Sequence, residues 1–131
     1  MPQPIGVARA WRASGAINNA TAVDLRTPSS SSSTVFVTKF TVSITTHANA
    51  KLVQLQDSAD TPIIYAKRTD LTAAAGVPDT LTWDFGSYSP ENNLYGGIPM
   101  TTGKKAQAVS EASGPAGWFY AEGYEIVPSP A

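Results

Sequence analysis

Apolar and polar positions along this chain alternate mostly with a period of two, the spacing of a half-buried strand. Between residues 34 and 46, Phe36, Phe40, Val42 and Ile44 share one parity, and Lys39, Thr41, Ser43 and Thr45 share the other. β-branched and aromatic residues fill this stretch, and both pack well on a pleated surface. Thr38 interrupts the apolar face, while Val35 and Val37 make its first part apolar on both sides. The pattern predicts one long strand lying against a core.

Shorter stretches repeat the signature. Residues 50–56 offer Leu52, Val53 and Leu55, and residues 62–67 offer Ile63, Ile64 and Tyr65 after a proline, as at a strand start or sheet edge. Residues 80–86 place Leu81, Trp83 and Phe85 inward, with Thr82 and Asp84 outward. Residues 104–113 put Ala106, Ala108, Ser110 and Ala112 on one face, and residues 116–127 set Trp118, Tyr120 and Tyr124 against Phe119, Ala121 and Glu125. Residues 6–13 and 16–26 add two more candidates. Breakers separate these stretches: Pro28 with the serine run 29–33, Asp57 to Asp60, residues 76–79 and 89–93, Gly96-Gly97, and Ser113-Gly114-Pro115. A single helical turn over residues 70–75 is the most helix the pattern supports. Short strands at regular spacing with turns between them predict an all-β, single antiparallel β-sandwich of about eight strands. The expected organisation is an extended arm and first strand over residues 1–15, a sandwich over 16–127, and a short proline-rich tail over 128–131.

Composition narrows the function. A chain of 131 residues supports one domain. It has no cysteine, which excludes disulfides, thiolate metal sites and cysteine nucleophiles. Nine Lys and Arg against ten Asp and Glu give a net charge of −1, without the basic footprint of a nucleic-acid binder. No apolar run approaches the ~18 residues of a membrane helix, and residues 1–5 do not read as a secretory signal. Charged residues make up only 15%, against the usual quarter, so the surface is weakly protected against association. An assembly subunit is the expectation.

Candidate chemistry is sparse. His47 is the single histidine and has no Gly-x-Ser-x-Gly elbow for company, so neither a triad nor a zinc site is expected. Glu122 and Glu125 differ in parity and should point to opposite faces, which disfavours a glycosidase carboxylate pair. No enzyme and no cofactor are expected. Trp83 and Trp118 share parity with apolar neighbours and read as core. Tyr88 and Tyr95 flank the loop carrying Asn92 and Asn93 and read as the exposed aromatic pair; these four residues are the candidate ligand loop. Trp11, between Arg9 and Arg12, reads as readily as a partner contact as a core residue, because Trp and Arg anchor interfaces.

The order of these features resembles small jelly-roll proteins of tailed-bacteriophage virions, of the capsid decoration, cement or fibre-knob type. The likeness rests on Ala22-Val23-Asp24-Leu25, the serine-rich loop, the strand from Val35 to Ile44, Leu52-Val53-Gln54-Leu55-Gln56-Asp57, Leu81-Thr82-Trp83-Asp84-Phe85, the Gly-Lys turn from Gly97 to Ala106, and the closing aromatic strand to Glu125. The resemblance implies a jelly-roll sandwich in a virion, assembled in the host cytoplasm. It also implies a non-enzymatic homotrimer that binds the major capsid protein lattice through an extended arm. Pro2, Pro4, Ile5, Arg9, Trp11 and Arg12 are the attachment candidates. A carbohydrate-binding module of a tail or fibre, using Tyr88, Asn92, Asn93 and Tyr95 on a cell-surface glycan, is the alternative. Nucleic acid and membrane are not expected partners.

Overall fold

The strands follow the alternation read above. A computed structural model describes residues 7–17, 22–46, 52–58, 63–68, 79–110 and 116–128. In chain order the strands are β1 (Val7–Ile17), β2 (Val23–Arg26), β3 (Thr34–Thr46), β4 (Leu52–Asp57), β5 (Ile63–Arg68), β6 (Asp79–Asp84), β7 (Tyr88–Ser89), β8 (Leu94–Tyr95), β9 (Ile98–Pro99), β10 (Ala106–Ser110) and β11 (Ala116–Val127). Helix is limited, among the described residues, to a 3-10 turn over Pro90–Asn92. The helical turn expected over residues 70–75 lies outside the described residues, as does His47.

The first sheet runs β1-β11-β3-β6, with β9 also pairing β3; the second runs β2-β10-β4-β5; β7 and β8 form a small hairpin. Every pairing is antiparallel. Numbering only the eight strands of four or more residues, the chain pairs first with eighth, second with seventh, third with sixth and fourth with fifth. That is a folded ribbon rolled up, the strand order of a jelly roll. The stretch read as one strand over residues 16–26 is two pieces: Ile17 ends β1 in the first sheet, and Val23 begins β2 in the second. β1 pairs β11 over its full length, from Val7 with Val127 to Ile17 with Gly117, so residues 7–15 belong to the sandwich.

Between the sheets lies one core. Val35, Val37, Phe40, Val42, Ile44, Phe119 and Ala121 enter it from the first sheet, and Leu25, Val53, Leu55, Ala106 and Ala108 from the second. Phe40 stacks on Trp83 at 5.0 Å. The inward set of β3 changes parity between Val37 and Phe40, and the cause is a β-bulge. Glu122 pairs Lys39 while Gly123 pairs Val37, leaving Thr38 as the extra residue. Phe36, expected inward by strict alternation, therefore faces outward. A second bulge leaves Thr45 unpaired between Ile44 and Thr46.

The two bulges share a design. Thr38 Oγ1 donates to the Glu122 carbonyl at 3.1 Å, and Thr45 Oγ1 donates to the Ala116 carbonyl at 3.4 Å. A glycine follows each of these acceptor residues on β11. A Cβ at Gly123 would collide with the Phe36 carbonyl oxygen and lie 2.8 Å from Trp11 Cζ2; one at Gly117 would collide with the Ser43 carbonyl oxygen. Both glycines are present because the bulged strand brings its backbone too close for any side chain.

An ion pair ties the sheets together at one end. Glu125 of β11 is fully buried and accepts from Arg26 of β2 at 2.8 and 3.1 Å, and from the Ser29 backbone N–H at 2.6 Å.

Candidate functional site

The outward side chains of the first sheet form rows across its strands, fixed by register. One row reads Arg12, Glu122, Lys39, Asp84 from β1 through β11 and β3 to β6. The next reads Ser14, Tyr120, Thr41, Thr82, and the one beyond reads Ala16, Trp118, Ser43, Thr80. The charged row alternates in sign, yet none of its four members comes within ion-pairing distance of another. Asp84 Oδ1 accepts from the Gly86 N–H at 3.0 Å, and Glu122 Oε2 accepts from the Tyr120 hydroxyl at 2.9 Å. That bond to Glu122 raises the Tyr120 phenol above its ordinary value.

On the opposite side of the charged row, the segment from Ser87 to Gly96 folds back over the sheet as a flap. Its neck is closed by Gly97 N–H to the Phe85 carbonyl and Gly96 N–H to the Ser87 carbonyl, both 2.8 Å. Its underside is aromatic. Tyr88 stacks on Tyr124 at 4.1 Å, Tyr124 stacks on Phe36 at 4.6 Å, and Tyr95 meets Tyr88 edge-on at 5.8 Å. The Tyr124 hydroxyl donates to the Gly96 carbonyl at 2.8 Å. Burial, with Tyr88 and Tyr95 alongside, pushes the Tyr124 phenol up to about 12.

Beside the flap lies a cleft of about 650 Å³ whose walls include Ala10, Arg12, Lys39, Asp84, Ser87, Tyr88 and Glu122. Gly86, together with Trp11, Thr38 and Gly123 at the first bulge, completes the lining. The indole Nε1 of Trp11 is buried and has no acceptor.

Several sequence expectations change here. Trp118, read as core, is 62% exposed, and Tyr120 beside it is 38% exposed. Both faces of β11 carry large residues, so parity alone does not mark the inner one: the odd positions Phe119, Ala121 and Glu125 point inward. Trp11 is a core residue at 5% exposure, packed over Gly123, and is not free to anchor a partner. Its neighbours Arg9 and Arg12 are exposed; Pro2, Pro4 and Ile5 lie outside the described residues. Tyr88 and Tyr95, expected as the exposed pair, are half-buried because their rings hold the flap down. Asn92 and Asn93 at the flap tip are exposed. Glu122 and Glu125 do face opposite ways, one onto the cleft and one into the core. Among the described residues, no three His, Asp or Glu side chains come together as a metal site would require.

Neither protein-family models nor curated proteins give a match to this chain. Among solved structures, one described as "Bacillus endospore appendages form a novel family of disulfide-linked pili" aligns over 98% of this chain and 97% of that chain. Its identity is 10% and its TM-score 0.36, too low for the likeness to bear on function.

Proposed function

We propose that this chain is a non-enzymatic structural protein of a bacteriophage virion, most specifically a capsid decoration or cement protein. In this reading it binds the major capsid protein lattice as a homotrimer and stabilises contacts between capsomers after assembly in the host cytoplasm. The uncovered Trp118–Tyr120 pair supports it most. Two large aromatic rings stand on an open sheet face among Ser14, Ala16, Thr41 and Ser43, in a chain with few charges to keep copies apart. Contiguous exposed apolar surface of this kind marks a contact with another protein. The jelly-roll strand order agrees with the resemblance in sequence texture. Residues 1–5, with Arg9 and Arg12, keep the role of lattice attachment, and Trp11 is removed from it by its burial. Three weak attachments joined in one trimer hold more firmly than any one alone.

Light scattering of the purified protein tests the association directly. A mass three times 13.7 kDa is expected, falling to the single-chain mass in the Trp118→Ala, Tyr120→Ala double variant. A wild-type protein that stays single at high concentration and on its lattice would remove the trimer reading.

A further inference from the structure

We propose that the cleft between the flap and the outer face of the first sheet binds a neutral, hydroxyl-rich ligand, a carbohydrate. The site lies apart from the Trp118 contact and does not depend on the virion reading. Its volume of about 650 Å³ falls within the range of small-ligand sites and admits one or two sugar rings. Its floor is the row Arg12, Glu122, Lys39, Asp84, in which donors and acceptors alternate strand by strand. A sugar hydroxyl both donates and accepts, so a floor of this pattern satisfies a run of hydroxyls on successive carbons. The four charges sum to zero, which leaves no net attraction for a phosphate or an ammonium group.

The row's bonding capacity is not spent within the protein. No ion pair forms between its members. Each carboxylate is oriented through one oxygen, Asp84 by Gly86 and Glu122 by Tyr120, while no described residue donates to Asp84 Oδ2 or Glu122 Oε1. The aromatic ring of Tyr88, on the flap, lines the cleft beside the charged row. Such a ring covers the apolar face of a pyranose while the charged row takes its hydroxyls.

The test is an array of neutral, sialylated and sulfated oligosaccharides, followed by titration calorimetry with the strongest neutral glycan. Neutral glycans should bind, and the Asp84→Asn, Glu122→Gln pair should weaken binding at least tenfold at unchanged melting temperature. Trp118→Ala, two rows away, should change it less than twofold. Arg12→Ala, at the exposed edge strand, serves as an independent second variant with a loss of at least threefold expected. Silence on every neutral glycan overturns the proposal, as does binding confined to the anionic ones. Binding lost in Trp118→Ala but kept in the carboxylate pair also overturns it, because the ligand would then sit on the open face. Since oligomeric mass reads the Trp118 contact and glycan affinity reads the cleft, the two proposals fail separately.

Discussion

At the scale of single residues, Glu125 sets how the protein responds to acid. Burial alone would raise its pKa, but the Ser29 N–H and the Arg26 guanidinium outweigh burial and hold it below the ordinary 4.5. A depressed folded value means that the stabilisation is complete above the unfolded pKa and disappears as pH falls through the folded one. Glu125→Gln is expected to cost about 2 kcal/mol at pH 7, the scale of a hydrogen bond to a charged group. Urea unfolding at pH 7 and again near pH 3 should show the gap between variant and wild type closing at the lower pH. A gap of constant size would mean that the carboxylate's charge is not its source. Gly123 is the other sensitive position. Gly123→Ala drives a methyl group into the Phe36 carbonyl and the Trp11 ring, and a loss of about 3 kcal/mol is expected. Gly15→Ala meets only the edge of Phe119, 3.0 Å away, and should cost less in the same melting experiment.

The strand is the scale at which alternation was legible, and also the scale at which it misled. Thr80 to Asp84 alternates without interruption, and its sides match the reading: Leu81 and Trp83 pack on the core while Thr82 and Asp84 are exposed. In β3 the period-two count holds on each side of Thr38 but not across it. A bulge adds one residue without changing composition, and only Thr38 as the lone polar break marks where the parity turns over. Trp118 was misplaced for a different reason: a strand with large residues on both faces gives no contrast from which to choose the inner one. Tyr88 was misplaced because its partner Tyr124 is distant in sequence, and no local pattern records a stack between them. The flap itself is a separable element. Tyr88→Ala removes one stacked ring, an effect of about 1 kcal/mol. The amide hydrogens of residues 87–96 should then exchange faster while those of β3 and β11 remain protected. Uniform acceleration across both groups would mean that the flap is part of the global unfolding unit.

For the whole molecule, the charged row and the aromatic pair divide one sheet face into two regions with different chemistry, and each proposal above occupies one of them. The second sheet is furnished otherwise. Gln56 donates to Gln107, Gln107 to Asp24, and Lys105 pairs with Asp24, so its polar groups bond to one another. Replacing Gln107 with Ala is therefore expected to leave oligomeric mass and glycan affinity unchanged, whereas changes on the first sheet alter one or the other. Light scattering and calorimetry on the same variant check this. The pairing of Val7 with Val127 has a mechanical meaning. The strand that enters the sandwich and the strand that leaves it meet at one corner. A force drawing those two ends apart would open β1 from β11 one residue pair at a time, like a zip.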